Sequence, residues 1–586
     1  MLQVLRAFVP RWRRGAVSAA MVLVAAGPCL AAAPTSGSAH AGGAGAQRFV
    51  VQTAPGATAA VAEAARRHGG HVERQLAGVQ ALVVTLPVAA VPALREDTRV
   101  RAVVPDARVH LLDALSAPVA LEHDPATDPN SLYNVEKVVG VRQSWSKATG
   151  DGVDVALIDS GVSPVQGLQG PGKVVHGPDL SFESQSPSAR YVDGFGHGTH
   201  LAGIIAGHDP DVAASASAPA TAFLGVAPDA RVLSMKVADR HGATDVSQVI
   251  AAVDWVVEHA HDPGMNVRVL NLSFGTDSSQ SYLLDPLAHA VEVAWRSGIV
   301  VVTSAGNSGS SSGRLTSPAT DPFVLAVGAD DTNNTNSLAD DEIAAFSSRG
   351  DGVRNPDLVA PGMHLQSLRV PGSHLDQSFP VGAVPSRYLR GSGTSQAAAV
   401  VSGVAALLLQ QRPWMTPDQV KALLRGTAGH LPSADAQAQG SGIVDVNSAV
   451  SKPAPSRLTA AQAFVPSSGT GSLEAARGGV HVLDGRVPLT GERDIFGRSF
   501  DAAERAAASV ARTSWVGGSW NGGAWTGDGW AVHTSTGDGA IDRTWAATDW
   551  TATSWAGRSW AADTWAGRSW AGGGWQGRSW ATEGWR

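Results

Sequence analysis

Polar residues stand where apolar runs stop. Asp159 closes "VALIDSG", Ser273 closes "VLNLSFG" and Asn307 closes "VVVTSAGN", while Ser395 in "GSGTSQAAAVVSG" opens an alanine- and valine-rich run. His197 sits in "DGFGHGTHLAGIIAG", ahead of another helix-like run. Carboxylate, imidazole, amide and hydroxyl together are what acyl transfer requires. A serine hydroxyl becomes nucleophilic when a histidine takes its proton, and a carboxylate fixes that histidine's tautomer and stabilises its cation. The oxyanion needs donors already aimed at it, and the amides opening the run at Ser395 and the side chain of Asn307 can supply them.

Each residue also has a plainer reading. A serine before a helix is commonly its N-cap, and Asp159 and Asn307 have the chemistry of turn formers. His197 and His200 could pair on a metal, but neither a third ligand nor the glutamate of an HExxH helix accompanies them. His200 is read as structural and no metal is assigned. "GSSSG" at 309–313 satisfies the GxSxG pattern of esterases, yet it lies in a serine-rich loop and not in a strand–turn–helix.

These residues need a frame that brings strand ends together. Between 133 and 450 the runs "GVDVALIDSG", "ARVLSMKV", "VRVLNLSFG", "GIVVVTSAGN" and "FVLAVGA" alternate with helical stretches. In "DVSQVIAAVDWVVEHA", Val246, Val249, Ile250, Val253, Val256 and Val257 recur at helical spacing. That pattern predicts an α/β domain, a mostly parallel sheet with helices on both faces. Sites in such sheets form beyond the carboxyl ends of the strands. Residues 47–110 read differently. Strand "RFVVQT", helix "TAAVAEAARRHGG", strand "ALVVTLP", short helix "VAAVPALRED" and strand "RVRAVVP" point to a small α+β domain of ferredoxin-like βαββαβ order. An Asp- and Pro-containing linker, 111–132, follows it, and 451–513 reads as a linker or extension with a helix at 501–512.

The chain has 586 residues, 44% of them apolar, enough for a large core and more than one domain. A net charge of −7 without a long basic run points away from nucleic acid. Arg6, Arg11, Arg13 and Arg14 precede the apolar stretch Ala16 to Ala26, and Ala39-His40-Ala41 offers a cleavage point, so 1–41 reads as a secretory signal. Cys29, the only cysteine, lies inside it, which removes thiol nucleophiles and Cys–zinc sites from the mature chain. No later run reaches the roughly 20 apolar residues of a membrane span, so the expectation is an exported, soluble protein. Residues 514–586 repeat tryptophan every fifth residue, from Trp515 to Trp585, with the gap after Trp530 kept in register. Such a step turns each indole by about 140° on a helix and switches faces on a strand. A coil or stacking array fits better. Its readings are a flexible extension trimmed after export, a self-assembly array, or a segment whose indoles, with Arg558, Arg568 and Arg578, contact cell-surface polysaccharide.

"ALIDSGV", "GHGTHLAGIIAG", "SAGNSG" and "GSGTSQAAAVVSG" resemble the signature segments of the subtilisin-like serine proteases, in the same order. "PATDPFVLAVGA", "FSSRG", "LVAPG" and "GSGIVDV" add to the resemblance, which covers roughly 135–450. It implies a secreted endopeptidase acting on polypeptides, with Asp159 as triad acid, His197 as base, Ser395 as nucleophile and Asn307 as oxyanion donor. Ser273, Phe274 and Gly275 resemble the edge that pairs with an extended substrate backbone. Residues 47–110 are similar to the family's propeptide, an intramolecular inhibitor that the enzyme itself would cut within 105–132. The chemistry needs no cofactor, and the resemblance carries an expectation of structural calcium for which the sequence names no ligands. Gln396, Ala399 and Val400 stand where the family commonly has Met, Pro and His, and Ser317-Pro318 where Tyr-Pro is common. These departures bear on subfamily and specificity. A second class of reading, a catalytically silent subtilisin fold that binds through the Trp repeats, differs in leaving Ser395 unreactive.

Overall fold

The computed structural model describes residues 46–76, 80–105, 124–524 and 550–552, apart from Gln185, Ser312, 380–382, 385–386, 480 and 485–486. The expected signal segment 1–41 with Cys29, most of the expected 111–132 linker and most of the Trp-rich tail lie outside the described residues. The chain divides into two units, each described by itself.

The smaller unit alternates strand and helix in the expected order. It comprises β1 (Ala46–Thr53), α1 (Thr58–Arg67), β2 (His71–Leu76), β3 (Ala81–Pro87), α2 (Val91–Arg95) and β4 (Val100–Pro105). The strands form one antiparallel sheet in the order β2-β3-β1-β4. Phe49 and Val51 of β1, Leu82, Val84 and Leu86 of β3 and Val61 and Ala65 of α1 make its core. β2, "HVERQL", is mostly exposed and has no apolar run to announce it.

In the larger unit the predicted runs become β5 (Asp154–Asp159), β7 (Arg231–Lys236), β8 (Val267–Leu272), β9 (Val300–Ser304) and β10 (Leu325–Asp331). They join β6 (Val174–His176), β11 (Glu342–Ile343) and β12 (Leu358–Pro361) in an eight-stranded sheet. Its order is β11-β10-β9-β8-β5-β7-β6, with β12 also on β10, and every pairing but β10–β11 is parallel. All six residues of β5 are buried, as a central strand covered on both faces requires. The helices doing the covering include α3 (His197–Ala206), α4 (Val246–His259), α5 (Pro286–Arg296) and α6 (Thr394–Gln411). α4 packs on α5, and α3 packs on α6. α6 is buried from Thr394 to Leu409, and its Ala- and Val-rich surface lies against β8, β9, β10 and β12. α4 carries the predicted stripe and begins at a capping box, in which Asp245 accepts from the helix amides and Gln248 reaches back to the Asp245 N–H.

The 451–513 segment, read as a linker or extension, is not a free linker. It folds onto the 133–450 body and takes the first tryptophan repeats with it. α7 (Leu473–Arg477) and α8 (Ala502–Ala511) dock beside α4 and α5. Arg477, 1% exposed, forms an ion pair with Asp245. Asp254 of α4 accepts from Ser509 Oγ at 2.6 Å and from Trp520 Nε1 at 2.9 Å. Trp515–Val516, Ser519–Trp520 and Gly523–Ala524 form a small antiparallel meander that buries Trp520. Isolated anchors hold this segment, and the small, polar residues between them conceal it from periodicity. The predicted helix at 501–512 is α8.

Candidate active site

Parallel pairing sets the carboxyl ends of β5, β8 and β9 along one edge of the sheet, and this edge carries the candidate residues. Asp159 is the last residue of β5, Ser273 follows β8 and Asn307 follows β9. His197 is the first residue of α3 and Ser395 the second of α6. All five are buried.

His197 Nδ1 lies 2.9 Å from Asp159 Oδ1 and 3.0 Å from Oδ2, where an Nδ1–H donates to the carboxylate and leaves Nε2 as the basic nitrogen. Burial pushes the Asp159 carboxyl up, and His197 and the Ser160 N–H oppose that shift. Gly198 lets the helix approach this closely, since a Cβ there would lie 2.1 Å from Gly161 O and 3.0 Å from Asp159 Oδ1.

Sequence reasoning passed over Asp193, which sets the first turn of α3. Its Oδ1 accepts from the Gly196 N–H at 2.6 Å and from Ser160 Oγ at 2.8 Å. Its Oδ2 accepts from the N–H and Oγ1 of Thr199, both at 2.7 Å. An aspartate just ahead of a glycine-flanked helix start was the available signal. The buried Lys236 ammonium donates to Ser160 O and Val192 O and pairs with Glu183, tying the Asp159 turn to the segment before His197.

At the start of α6 the N-cap is Gly393, so the Ser395 hydroxyl does not cap the helix. Asn307 Oδ1 accepts from Thr394 N and Thr394 Oγ1, each at 2.9 Å. Those bonds fix the amide plane and turn Nδ2 away. Asn307 Nδ2 and Ser395 Oγ are then buried polar atoms with no hydrogen-bond partner among the described residues. Ser273 Oγ donates to Ser395 O at 3.4 Å, so the edge after β8 touches the same helix start. Thr276 pairs in both directions with Ser317, and a Cβ on Gly275 would lie 2.5 Å from Thr316 Oγ1.

The metal reading of His197 and His200 finds no support here. His197 Nδ1 is committed to Asp159, and His200 Nε2 lies 3.0 Å from Leu389 O. Burial pushes His200 down to about 3, so it stays neutral beside His197. Among the described residues no group of three or more His, Cys, Asp or Glu could hold a metal ion.

Residues 150–448 match the subtilase family, peptidase S8. The chain belongs to that family. It is 38% identical over 308 residues to serine protease AprX of Bacillus subtilis (strain 168), covering 52% of this chain and 67% of that protein. Against subtilisin E of the same strain, identity is 31% over 388 residues, covering 65% of this chain and 83% of the relative. Against subtilisin Savinase of Lederbergia lenta it is 35% over 301 residues, covering 51% and 91%. This subtilase is therefore a serine endopeptidase whose substrates are polypeptides. At two places where buried carboxylates lie near convergent carbonyls, the protein's own cations occupy the position. Lys421 Nζ donates to Pro322 O at 2.6 Å and Val324 O at 2.8 Å, 3.2 Å from Asp357 Oδ1. The Arg142 guanidinium donates to Ala218 O at 2.6 Å and pairs with Glu136 at 3.2 Å. Among the described residues no helix is long and apolar enough to cross a membrane.

Proposed function

We propose that this subtilase cleaves peptide bonds through Ser395, His197 and Asp159 by way of an acyl-enzyme. The observation that carries the reading is the Asp159–His197 pair on the sheet edge that also bears Ser395 Oγ and Asn307 Nδ2, both buried and without hydrogen-bond partners among the described residues. Ser395 Oγ attacks the scissile carbonyl carbon as His197 Nε2 takes the hydroxyl proton. Asn307 Nδ2 and the Ser395 N–H, at the positive end of α6, hold the oxyanion. The C–N bond then breaks as His197 returns the proton to the leaving amine. Water, deprotonated by His197, hydrolyses the ester and regenerates Ser395. Asp159 stays ionised throughout and stabilises the imidazolium. Ser273, Phe274 and Gly275 pair with the substrate backbone by strand addition.

The enzyme is made for export with 1–41 as signal, and the 46–105 unit serves as its inhibitory propeptide. The ferredoxin-like strand order of that unit and the family's propeptide pattern support this reading. Processing within 105–132 is performed by the enzyme itself, so a Ser395→Ala precursor purified alone stays uncut. Maturation of that variant would refute self-processing. A fluorophosphonate probe on the mature enzyme tests the nucleophile: mass shift on Ser395 is expected, and its absence would favour a silent fold acting through the Trp repeats.

A further inference from the structure

Residues 472–479 of the extension meet the chain immediately after the substrate edge. Thr276 Oγ1 donates to Ala476 O at 2.7 Å, and Asp277 Oδ1 accepts from the Gly479 N–H at 2.8 Å. Gln280 clasps Ser472 both ways, its Oε1 accepting from Ser472 N at 2.8 Å and its Nε2 donating to Ser472 O at 3.0 Å. Gly478 has φ +68°, and a Cβ there would lie 2.2 Å from Asp277 Oδ1, so the turn is fitted to that carboxylate.

The same stretch is also held by the 314–317 segment. Thr276 and Ser317 exchange backbone hydrogen bonds at 2.9 and 3.0 Å, and Arg314 Nη2 donates to Asp277 O at 2.7 Å. Residues 276–280 are thus bonded to the extension, and residues 276–277 to the 314–317 segment as well. Arg477 locks the extension side. Its Nε lies 2.7 Å from Asp245 Oδ2, and Nη1 reaches Gly491 O at 2.7 Å and Glu474 Oε2 at 3.1 Å. A fully buried guanidinium with its donors this well matched holds one geometry.

We propose that residues 472–479, locked by Arg477, are a positioning element that keeps the 273–275 edge in register for an extended polypeptide. The inference rests on the protease reading above and on strand addition at that edge. It makes the C-terminal extension part of substrate recognition: a short acyl ester, which engages Ser395 without pairing along the edge, does not need it.

The test uses the enzyme after propeptide removal with its C-terminal extension intact, and active sites are titrated by a fluorophosphonate so that only competent enzyme is counted. Wild type, Arg477→Ala, Arg477→Lys and Thr276→Val are compared on a pentapeptide anilide and on a simple acyl ester. For Arg477→Ala, KM for the peptide is expected to rise about tenfold, the scale of one or two backbone hydrogen bonds lost. Its kcat/KM for the ester stays at the wild-type value, Arg477→Lys restores part of the peptide KM, and Thr276→Val shows a smaller rise. An unchanged peptide KM in folded, titrated enzyme would overturn the proposal, as would an equal loss on both substrates. Should Arg477→Ala not fold, Thr276→Val and Asp277→Ala decide by the same split. Absence of turnover by wild type on either substrate would instead overturn the protease reading itself.

Discussion

The sheet edge and the face where the extension docks both bury polar side chains, and the side chains that mark each are bonded differently. On the docking face, Arg477 meets Asp245, Glu474 and backbone carbonyls, and Asp254 meets Ser509 and Trp520. At the edge, Asn307 Nδ2 and Ser395 Oγ are left without partners among the described residues, although Asn307 Oδ1 accepts from both Thr394 N and Thr394 Oγ1. An unmade hydrogen bond in the interior costs about 1–3 kcal/mol. Folding alone gives no reason to hold such atoms at the edge, whereas a substrate carbonyl and its oxyanion do. Arg477 and Asp254 on the docking face tie the fold together, whereas on the proposed mechanism Ser395 Oγ and Asn307 Nδ2 meet an incoming reactant.

That contrast is broken most directly at the nucleophile and base. Ser395→Ala or His197→Ala is expected to lower kcat by about 10⁶, measured on a peptide anilide, while the melting temperature hardly moves. A large fall in melting temperature would mean that these residues serve stability after all. Arg477→Ala should do the reverse, since it strands the buried Asp245 carboxylate; a loss of about 3–5 kcal/mol in denaturant unfolding is expected. Asn307→Ala should lower kcat by about 10²–10³ and leave measurable turnover. A loss as deep as that of Ser395→Ala would contradict its assignment as one oxyanion donor.

The smallest effect sharpens the comparison at a region of neither kind. Asp330 and Asp341 are buried and receive no hydrogen bond from a donor among the described residues. Burial pushes the Asp341 carboxyl up to about 6, and burial with the neighbouring Asp341 charge holds Asp330 well above the usual carboxylate range. Carboxyls raised in the folded state stabilise it below their unfolded range, and the contribution is lost as pH rises through the folded values. Asp341→Asn should therefore raise the melting temperature at pH 8 more than at pH 5. A variant destabilised at pH 8 would contradict this reading of the pair.

Much of the edge was legible because its residues interrupt long apolar runs. β5, β7, β8, β9 and β10 follow those runs, and the stripe from Val246 to Val257 became α4. β2 escaped notice because "HVERQL" is mostly exposed, and exposure removes the alternation that marks a strand. Asp193 was missed because its role lies in accepting amides of a helix start, which depends on chain geometry more than on residue type. The docking of 451–524 was hidden for a related reason. Arg477 looks like any surface arginine and Trp520 like one more repeat, until Asp245 and Asp254, more than two hundred residues away, are brought beside them.

The central claim is that Ser395 is activated by His197 held on Asp159. Peptide mapping after brief exposure to a fluorophosphonate, on wild type and on His197→Ala, tests it in one experiment. The account predicts a stoichiometric adduct on the Ser395 peptide of wild type and almost none on His197→Ala. Equal labelling of both proteins, or an adduct on another serine, would contradict it.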